Sequence, residues 1–423
     1  MDKLYNPLKL SEYRHLFPSK QVLVVGGGAV GSNVAEDVVK MGASVDVIDF
    51  DTFTLENAAK HSCLVRTPED VGRNKAECVS SRLKPLLEEG CHTNGIDTDL
   101  CMLGPEAIAE YDVVILCVDN FAAKTLFNEL WMKIPEERRP YVIMDGTHDE
   151  MAQSVILDGK EFCLDCLMDD SWMKDANIRT SCSGPQLRRI DGNNEIVRTS
   201  GLASSIAANL SSEQFRAIVI GAPDVVNRRI TYTAYPHFEI SVAKPMRKRT
   251  CSGCKTRAPQ NINWLSGSVL ELTLGEALKQ IGAVLNSDEF EVSTHRLNYK
   301  KVLHSGFIIN DTCHSCGQTI SVMKHEGRTY LGDLICDECK ANNKVAHNDI
   351  SSMPGTIVYA FTPDCSEELK QKTLFELGYP LGAHIEVIER NGALDFLDAD
   401  KIVISTFACQ DDPKKMHAIN VLK

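Results

Sequence analysis

The stretch that most constrains this chain is the apolar run Gln21-Val-Leu-Val-Val25, followed at once by Gly26-Gly-Gly28-Ala-Val-Gly31-Ser32. A short buried parallel strand that runs straight into Gly at the three positions of G-x-G-x-x-G implies a tight turn and then a helix. In that motif the first glycine permits the turn and the second lets backbone approach a phosphate. The third lets the helix pack closely, with its first amides facing the anion. Val45-Asp-Val-Ile48 is the next strand, and Asp49 at its end lies 18 residues beyond Gly31. An acid near that offset binds a ribose hydroxyl, so on these features alone NAD is the default ligand.

The residues beyond Asp49 depart from that default, because a hydride-transfer site has no evident need for Asp51, Asn57, Lys60 and Lys75 at these places. Asp49-Phe-Asp51, then Asn57 six residues on, then Val71-Gly-Arg-Asn-Lys75 together resemble the ThiF/MoeB and ubiquitin-activating enzyme superfamily. That superfamily typically reads Asp-x-Asp, Ser-Asn-Leu-x-Arg-Gln and Ile-Gly-x-x-Lys, and it adenylates a C-terminal carboxylate with ATP. This chain carries Asn57-Ala-Ala-Lys60-His61 where the family has Asn-x-x-Arg-Gln. Lysine keeps the positive charge there but lacks the bidentate fork of arginine. The resemblance covers about residues 13–254, three-fifths of the chain, and is specific in combination.

Composition sets outer limits. At 423 residues with 43% hydrophobic content, the chain can bury large cores and is long enough for two or three domains. No apolar run approaches the roughly 20 residues of a membrane span. The start, Met1-Asp-Lys-Leu-Tyr-Asn-Pro7, has no signal-peptide apolar region, so a cytoplasmic location without membrane partners is expected. A net charge of -13 argues against general nucleic-acid binding. The local cluster Arg247-Lys-Arg249 sits beside a cysteine pair, where its charges would offset thiolates.

Sixteen cysteines in such a protein call for an explanation other than disulfides. Eight of them form four C-x-x-C pairs: Cys163/Cys166, Cys251/Cys254, Cys313/Cys316 and Cys336/Cys339. The last two pairs are separated by 19 residues, within the spacing of a four-cysteine zinc site. The first two pairs lie 84 residues apart, and it is the family resemblance that joins them into a second zinc site. Coordination by four thiolates leaves no open position, so both metals would be structural. Cys63, Cys78, Cys91, Cys101 and Cys117 read as core or incidental residues, while Cys365 and Cys409 have no assigned role.

The pattern along the chain predicts an α/β fold: a doubly wound Rossmann-like adenylation domain with structural zinc, plus a C-terminal α+β unit containing a second zinc module. The expected divisions are a leader at 1–20, the adenylation domain at 21–254, a connector helix and second zinc module at 255–350, and a docking domain at 351–423. Tyr111-Asp-Val-Val-Ile-Leu-Cys-Val118 is a buried strand ending on Asp119-Asn120. Ligands sit beyond the carboxyl ends of strands in such sheets, which places Asp119 in one crevice with Gly28 and Asp49. An amphipathic helix is expected over Leu274–Leu285, and strands at 356–361, 384–389 and 402–407. Leu374-Phe-Glu-Leu-Gly-Tyr-Pro-Leu-Gly382 loosely resembles the start of the ubiquitin-fold-like domain of activating enzymes, which recruits a conjugating enzyme.

The resemblance implies roles for particular residues. Asp49 would hold the ribose, Asn57, Lys60 and Lys75 would contact phosphates, Asp119 would hold Mg2+, and Asp51 would assist at the metal or acceptor end. Arg14, in Tyr13-Arg14-His15, would reach the phosphates from a partner subunit, which implies a homodimer. Cys182, in the polar loop Asn177-Ile-Arg-Thr-Ser-Cys182-Ser-Gly-Pro185, occupies the region where several relatives carry a nucleophilic thiol, with Arg179, Arg188 and Arg189 near enough in sequence to lower its pKa. The activity the resemblance implies is ATP-dependent activation of a ubiquitin-like or sulfur-carrier β-grasp protein, with transfer to Cys182 and on to a conjugating enzyme as the second step known in several relatives. An NAD-dependent oxidoreductase accounts for the glycines and Asp49 but not for Lys75, Asp119 or the paired cysteines. A non-catalytic nucleotide-binding scaffold is the third reading, suggested by Lys60-His61.

Overall fold

A computed structural model describes residues 10–55, 69–119, 121–148, 151–168, 201–234, 238–248, 251, 253–256, 258–299, 302–304, 306–326, 329, 331–342, 356–390 and 402–411. Eight strands form the first sheet: β1 (Gln21–Val25), β2 (Ser44–Ile48), β3 (Thr93–Ile96), β4 (Val113–Leu116), β5 (Tyr141–His148), β6 (Met151–Leu157), β7 (Arg229–Thr233) and β8 (Glu239–Ala243). Their order is β3-β2-β1-β4-β5-β6-β7-β8, parallel through β5 and antiparallel beyond it. The parallel part is the doubly wound order, in which the chain reverses direction across the sheet between β1 and β4 and opens a crevice there.

Side chains of β1 alternate between two cores, as a strand buried on both faces requires. Val22 and Val24 join a core shared with the helices Ala29–Lys40, Lys75–Leu83 and Gly201–Val219. Leu23 and Val25 face the other way, toward Phe127 and Trp131 of the helix Phe121–Met132. That second core continues without a break into Leu265, Phe375, Leu381 and Ala383 of the C-terminal part. Small residues let the Gly201–Val219 helix lie close to the sheet: Ala207, Ala208 and Ser211 are all buried.

The C-terminal part contains a five-stranded sheet. Its strands are β9 (Asn263–Leu265), β10 (Phe290–Ser293), β16 (Ala360–Phe361), β17 (His384–Arg390) and β18 (Ile402–Cys409), in the order β16-β10-β17-β18-β9. The expected division at residue 350 therefore falls between strands of one sheet, because β9 and β10 find their partners only after β17 and β18 have arrived. The helix Leu274–Leu285 matches its sequence expectation and starts on a capping box between Thr273 and Glu276. Between β10 and β16 lie the hairpin β11 (Leu297–Tyr299) and β12 (Val302–His304), and the small sheet β13 (Phe307–Thr312), β14 (Thr319–His325) and β15 (Ile357–Val358). Among the described residues no helix is long and apolar enough to cross a membrane.

Candidate nucleotide site and cysteine clusters

The glycine turn leaves β1 at the crevice. Gly26 has φ +100 and donates its amide to the Ile48 carbonyl at 2.8 Å; a Cβ on it would sit 2.8 Å from the Cys117 carbonyl oxygen. Gly31 is barred from any side chain, because a Cβ there would overlap the Gly26 carbonyl oxygen. Gly28 differs from both, since a Cβ on it would meet nothing within 4 Å. It caps the Ala29–Lys40 helix, so the open space lies at a helix N-terminus, a favourable place for an anion.

Asp49 closes the second side of the crevice. Its carboxylate accepts from the Gly27 amide at 2.7 Å and the Asp51 amide at 2.8 Å. Burial pushes the Asp49 carboxyl up to about 6, against the opposing pull of Lys75. Lys75 lies beside it, with Nζ 3.0 Å from Asp51 Oδ2 and its side chain only 7% exposed. This meeting depends on a turn: Gly72 at φ +85 donates to the Phe53 carbonyl, Phe53 donates to Arg73, and Lys75 donates its amide to Asp51. A buried lysine needs a carboxylate partner, and folding the 70–75 segment back onto 51–53 supplies Asp51.

Asn74 fixes this arrangement, and the sequence motifs alone do not single it out. Its Oδ1 accepts from the Glu77 amide, capping the Lys75–Leu83 helix, while its Nδ2 donates to the Asp49 carbonyl at 2.8 Å. An asparagine directly before Lys75-Ala-Glu77 is an N-cap signal that the sequence does carry. At the end of β4, Asp119 is exposed at the crevice. Behind it lie two further polar residues that no sequence motif marks, Lys124 and Asp145. Lys124 Nζ donates to the Asp145 carbonyl at 3.2 Å. The Asp145 carboxylate accepts from Ser211 Oγ and lies 3.2 Å from Cys117 Sγ, and burial raises it to about 6.

The structure thus brings together Gly26, Gly28, Gly31, Asp49, Asp51 and Lys75, with Asp119 at the end of the adjacent strand β4. Asn57, Lys60 and Cys182 lie outside the described residues. Arg14 is not gathered to this crevice within the chain. Its guanidinium pairs with Glu88, whose carboxylate lies beside Gly42, just before the start of β2. That is the amino end of the parallel strands, opposite the glycine turn.

Both cysteine quartets are assembled. Cys163, Cys166, Cys251 and Cys254 have all four sulfurs within 4.8 Å of one another, and so do Cys313, Cys316, Cys336 and Cys339. Separations of 3.5 Å for Cys163–Cys251, 3.4 Å for Cys166–Cys254 and 3.7 Å for Cys316–Cys336 approach the spacing of about 3.8 Å that tetrahedral Zn–S bonds of about 2.3 Å require. Asn128 donates to Cys163 Sγ at 3.4 Å and accepts from the Leu164 amide, orienting the first cluster from outside. The Cys336 amide does the same for Cys313 Sγ at 3.2 Å. The donor set fits zinc at both places, and these eight thiols are the residues that would hold it.

The ThiF family model matches residues 4–256. Among curated proteins, tRNA threonylcarbamoyladenosine dehydratase 2 of Saccharomyces cerevisiae is 30% identical over 111 residues, which is 25% of this chain and 24% of that protein. The Nedd8-activating enzyme E1 catalytic subunit of Drosophila melanogaster is 24% identical over 160 residues, 35% of each chain. Adenylyltransferase and sulfurtransferase MOCS3 of Caenorhabditis briggsae is 29% identical over 114 residues, 26% of this chain and 27% of the relative. The chain therefore spans about a quarter to a third of the length of these relatives. Of solved structures, Escherichia coli MccB with ATP is similar at 17% identity and a TM-score of 0.44, over 60% of this chain and 75% of that one.

Proposed function

Because this chain belongs to the ThiF family over residues 4–256, we propose that it uses ATP to adenylate the C-terminal carboxylate of a partner protein of the ubiquitin-like or sulfur-carrier β-grasp class. The observation that carries this reading is the buried Lys75–Asp51 ion pair, set beside Asp49 and the glycine turn at the carboxyl end of β1, where β4 lies alongside it. A cation fixed at that point serves phosphate chemistry and has no task in hydride transfer. In the proposed reaction an oxygen of the partner's carboxylate attacks the α-phosphorus, and the bond from that phosphorus to the β-phosphate bridge oxygen breaks. Pyrophosphate leaves with the electron pair, and a mixed anhydride of acyl group and AMP forms.

Each residue has a definite part in this scheme. Asp49, held by two amides, receives ribose hydroxyls on its remaining acceptor positions. The space in front of Gly28 admits phosphate to the first amides of the helix. Lys75 matches the charge that grows on the phosphates, which is the dominant need of such a transfer. A single exposed carboxylate such as Asp119 suits Mg2+, which takes one or two carboxylates with phosphate oxygens and water. When bound there, the metal supplies charge neutralisation to the phosphates. Asn57 and Lys60 would add phosphate contacts, and Arg14 would do so from a second chain of a homodimer. Cys182 would accept the acyl group from AMP as a thioester, and the C-terminal unit would receive a conjugating enzyme. The zinc clusters hold the fold.

The test is isotope exchange between pyrophosphate and ATP in the presence of candidate β-grasp proteins ending in glycine. Exchange lost in Lys75→Ala and Asp119→Ala but kept in Cys182→Ala supports adenylation. No exchange with any partner, together with tight NAD binding, overturns it in favour of the oxidoreductase. A reducible covalent adduct lost in Cys182→Ala alone would assign the thiol.

A further inference from the structure

The two sulfur quartets differ in which of their sulfurs solvent can reach. In the first, Cys163, Cys166 and Cys251 are buried in the core that the two sheets share, and Cys254 is half-buried against it. In the second, Cys313 and Cys339 are buried, Cys336 is half-buried and Cys316 is exposed. The open pair takes one sulfur from each C-x-x-C: Cys316 lies in the turn between β13 and β14, and Cys336 is the N-cap of the helix Asp337–Ala341. Their sulfurs are 3.7 Å apart. Next to Cys316, Gly317 turns at φ +76, and a Cβ on it would meet nothing within 4 Å, so the outer side of this turn is open.

We propose that Cys316 and Cys336 form a peroxide-sensitive site, at which oxidation joins them in a disulfide and frees the zinc of the second quartet while the first quartet keeps its own. The inference rests on zinc binding by the second quartet and not on the adenylation reading. A thiol that binds zinc is held as the thiolate, and oxidation selects among thiolates by exposure. One of the two sulfurs attacks a peroxide oxygen, the O–O bond breaks, and hydroxide leaves as a sulfenic acid forms. The other thiolate attacks that sulfur, the S–S bond forms and a second hydroxide leaves. Two protons from solvent turn both hydroxides into water, so the two sulfurs supply the two electrons that reduce the peroxide. With two of its ligands consumed, the quartet no longer holds its ion. The disulfide spans the same two segments that the metal joined, the β13–β14 turn and the helix Asp337–Ala341, so the module stays closed and a dithiol reductant restores the site. The first quartet, which ties the end of β6 to the segment after β8, is spared, and the nucleotide sheet with it.

The test treats the zinc-loaded full chain, freed of reductant, with hydrogen peroxide beside a metallochromic dye, then digests it without reduction for mass spectrometry. Zinc release should rise in step with a Cys316–Cys336 cross-linked peptide, and dithiothreitol with added zinc should reverse both. Cys339→Ser retains the first quartet alone and Cys251→Ser the second alone. The former should release its zinc on the order of tenfold more slowly than the latter. If either variant fails to fold, the peptide map of the wild-type chain decides by itself. Equal rates from the two quartets, cross-links confined to Cys163, Cys166, Cys251 and Cys254, or zinc release without the Cys316–Cys336 link overturns the proposal. Zinc retained under peroxide, or a second quartet that holds no zinc, overturns it as well, whatever the outcome of pyrophosphate exchange.

Discussion

His384 Nε2 lies 2.8 Å from Glu106 Oε1, joining residues 278 positions apart across the contact between the two sheets. Arg138 reaches the other carboxylate oxygen at 2.8 Å. Backbone bonds run alongside: Leu381 donates to Met102 at 2.9 Å and Glu106 donates to Gly382 at 3.1 Å. Gly382, at φ +64, packs against the Ala107 amide with no room for a side chain. The C-terminal sheet is thus bonded to the connection that leads into β4, and the two parts share one core. A single cooperative unfolding transition is expected for both.

Glu106 tests that junction. Burial alone would raise its carboxyl, but hydrogen bonds from His384 and Arg138 outweigh this and hold it below its ordinary value of 4.5. A lowered folded-state pKa contributes stability above pH 4.5 that is lost as pH falls through the folded value. Glu106→Ala should cost about 1–3 kcal/mol at pH 7, the price of leaving buried partners unpaired. Denaturant melts of the variant should also show a flatter loss of stability below pH 4.5 than the wild-type chain. Parallel losses in both would mean that the pair does not hold the junction.

Two glycines of one motif should fail in different ways. Gly28→Ala places a methyl in open space, so its melting temperature should stay near wild type while affinity for ATP falls at least tenfold. Gly31→Ala forces a methyl onto the Gly26 carbonyl and should destabilise the fold by about 3 kcal/mol. Melting curves beside nucleotide titrations distinguish them. If Gly28→Ala binds ATP as the wild-type chain does, the phosphate does not enter beside it.

Asp49 gives the site a pH dependence. Its carboxyl titrates at about 6, so below that pH it carries a proton and accepts fewer ribose hydrogen bonds. The kcat/KM for ATP, which reports groups of the free enzyme, should rise with pH through about 6 and level off above it. Asp145 titrates near the same value, so Asp145→Asn should retain the rise if Asp49 is its source. A flat profile from pH 5 to 8 contradicts the assignment. On stability these two acids act opposite to Glu106: with folded values raised from 3.8 to about 6, their ionisation disfavours the fold as pH climbs across that interval.

Two zinc ions per chain are expected from the two sulfur quartets. Elemental analysis of Cys251→Ser should show the loss of one ion, and Cys339→Ser the loss of the other. Because the first cluster ties the end of β6 to the segment after β8, its loss should lower the melting temperature more than loss of the second. Retention of both ions in either variant would count against coordination by four thiolates.

Much of the nucleotide crevice was legible because its determinants are local. The glycine spacing, the run Val45–Ile48 and the acid at its end follow from strand, turn and helix geometry within thirty residues. The C-x-x-C spacing of Cys313/Cys316 and Cys336/Cys339 is local in the same sense. Lys124, Asp145, Glu106 and His384 were not legible, since a lysine or glutamate reads as a solvated surface residue until its surroundings bury it. Asn74 stood between, because its capping position was visible but its bond to the Asp49 carbonyl was not.

The sequence by itself determined that β1 ends in a phosphate-type turn, that β2 ends in Asp49, and that the thiols come in pairs at ligand spacing. Only the tertiary structure decided which distant groups meet. It set Lys75 on Asp51 by folding 70–75 onto 51–53, and it closed Cys163/Cys166 with Cys251/Cys254. It also put β9 and β10 in one sheet with β17 and β18. The physical reason is that backbone preference acts over a few residues, whereas burial makes a charge or thiol seek whatever partner the rest of the chain delivers.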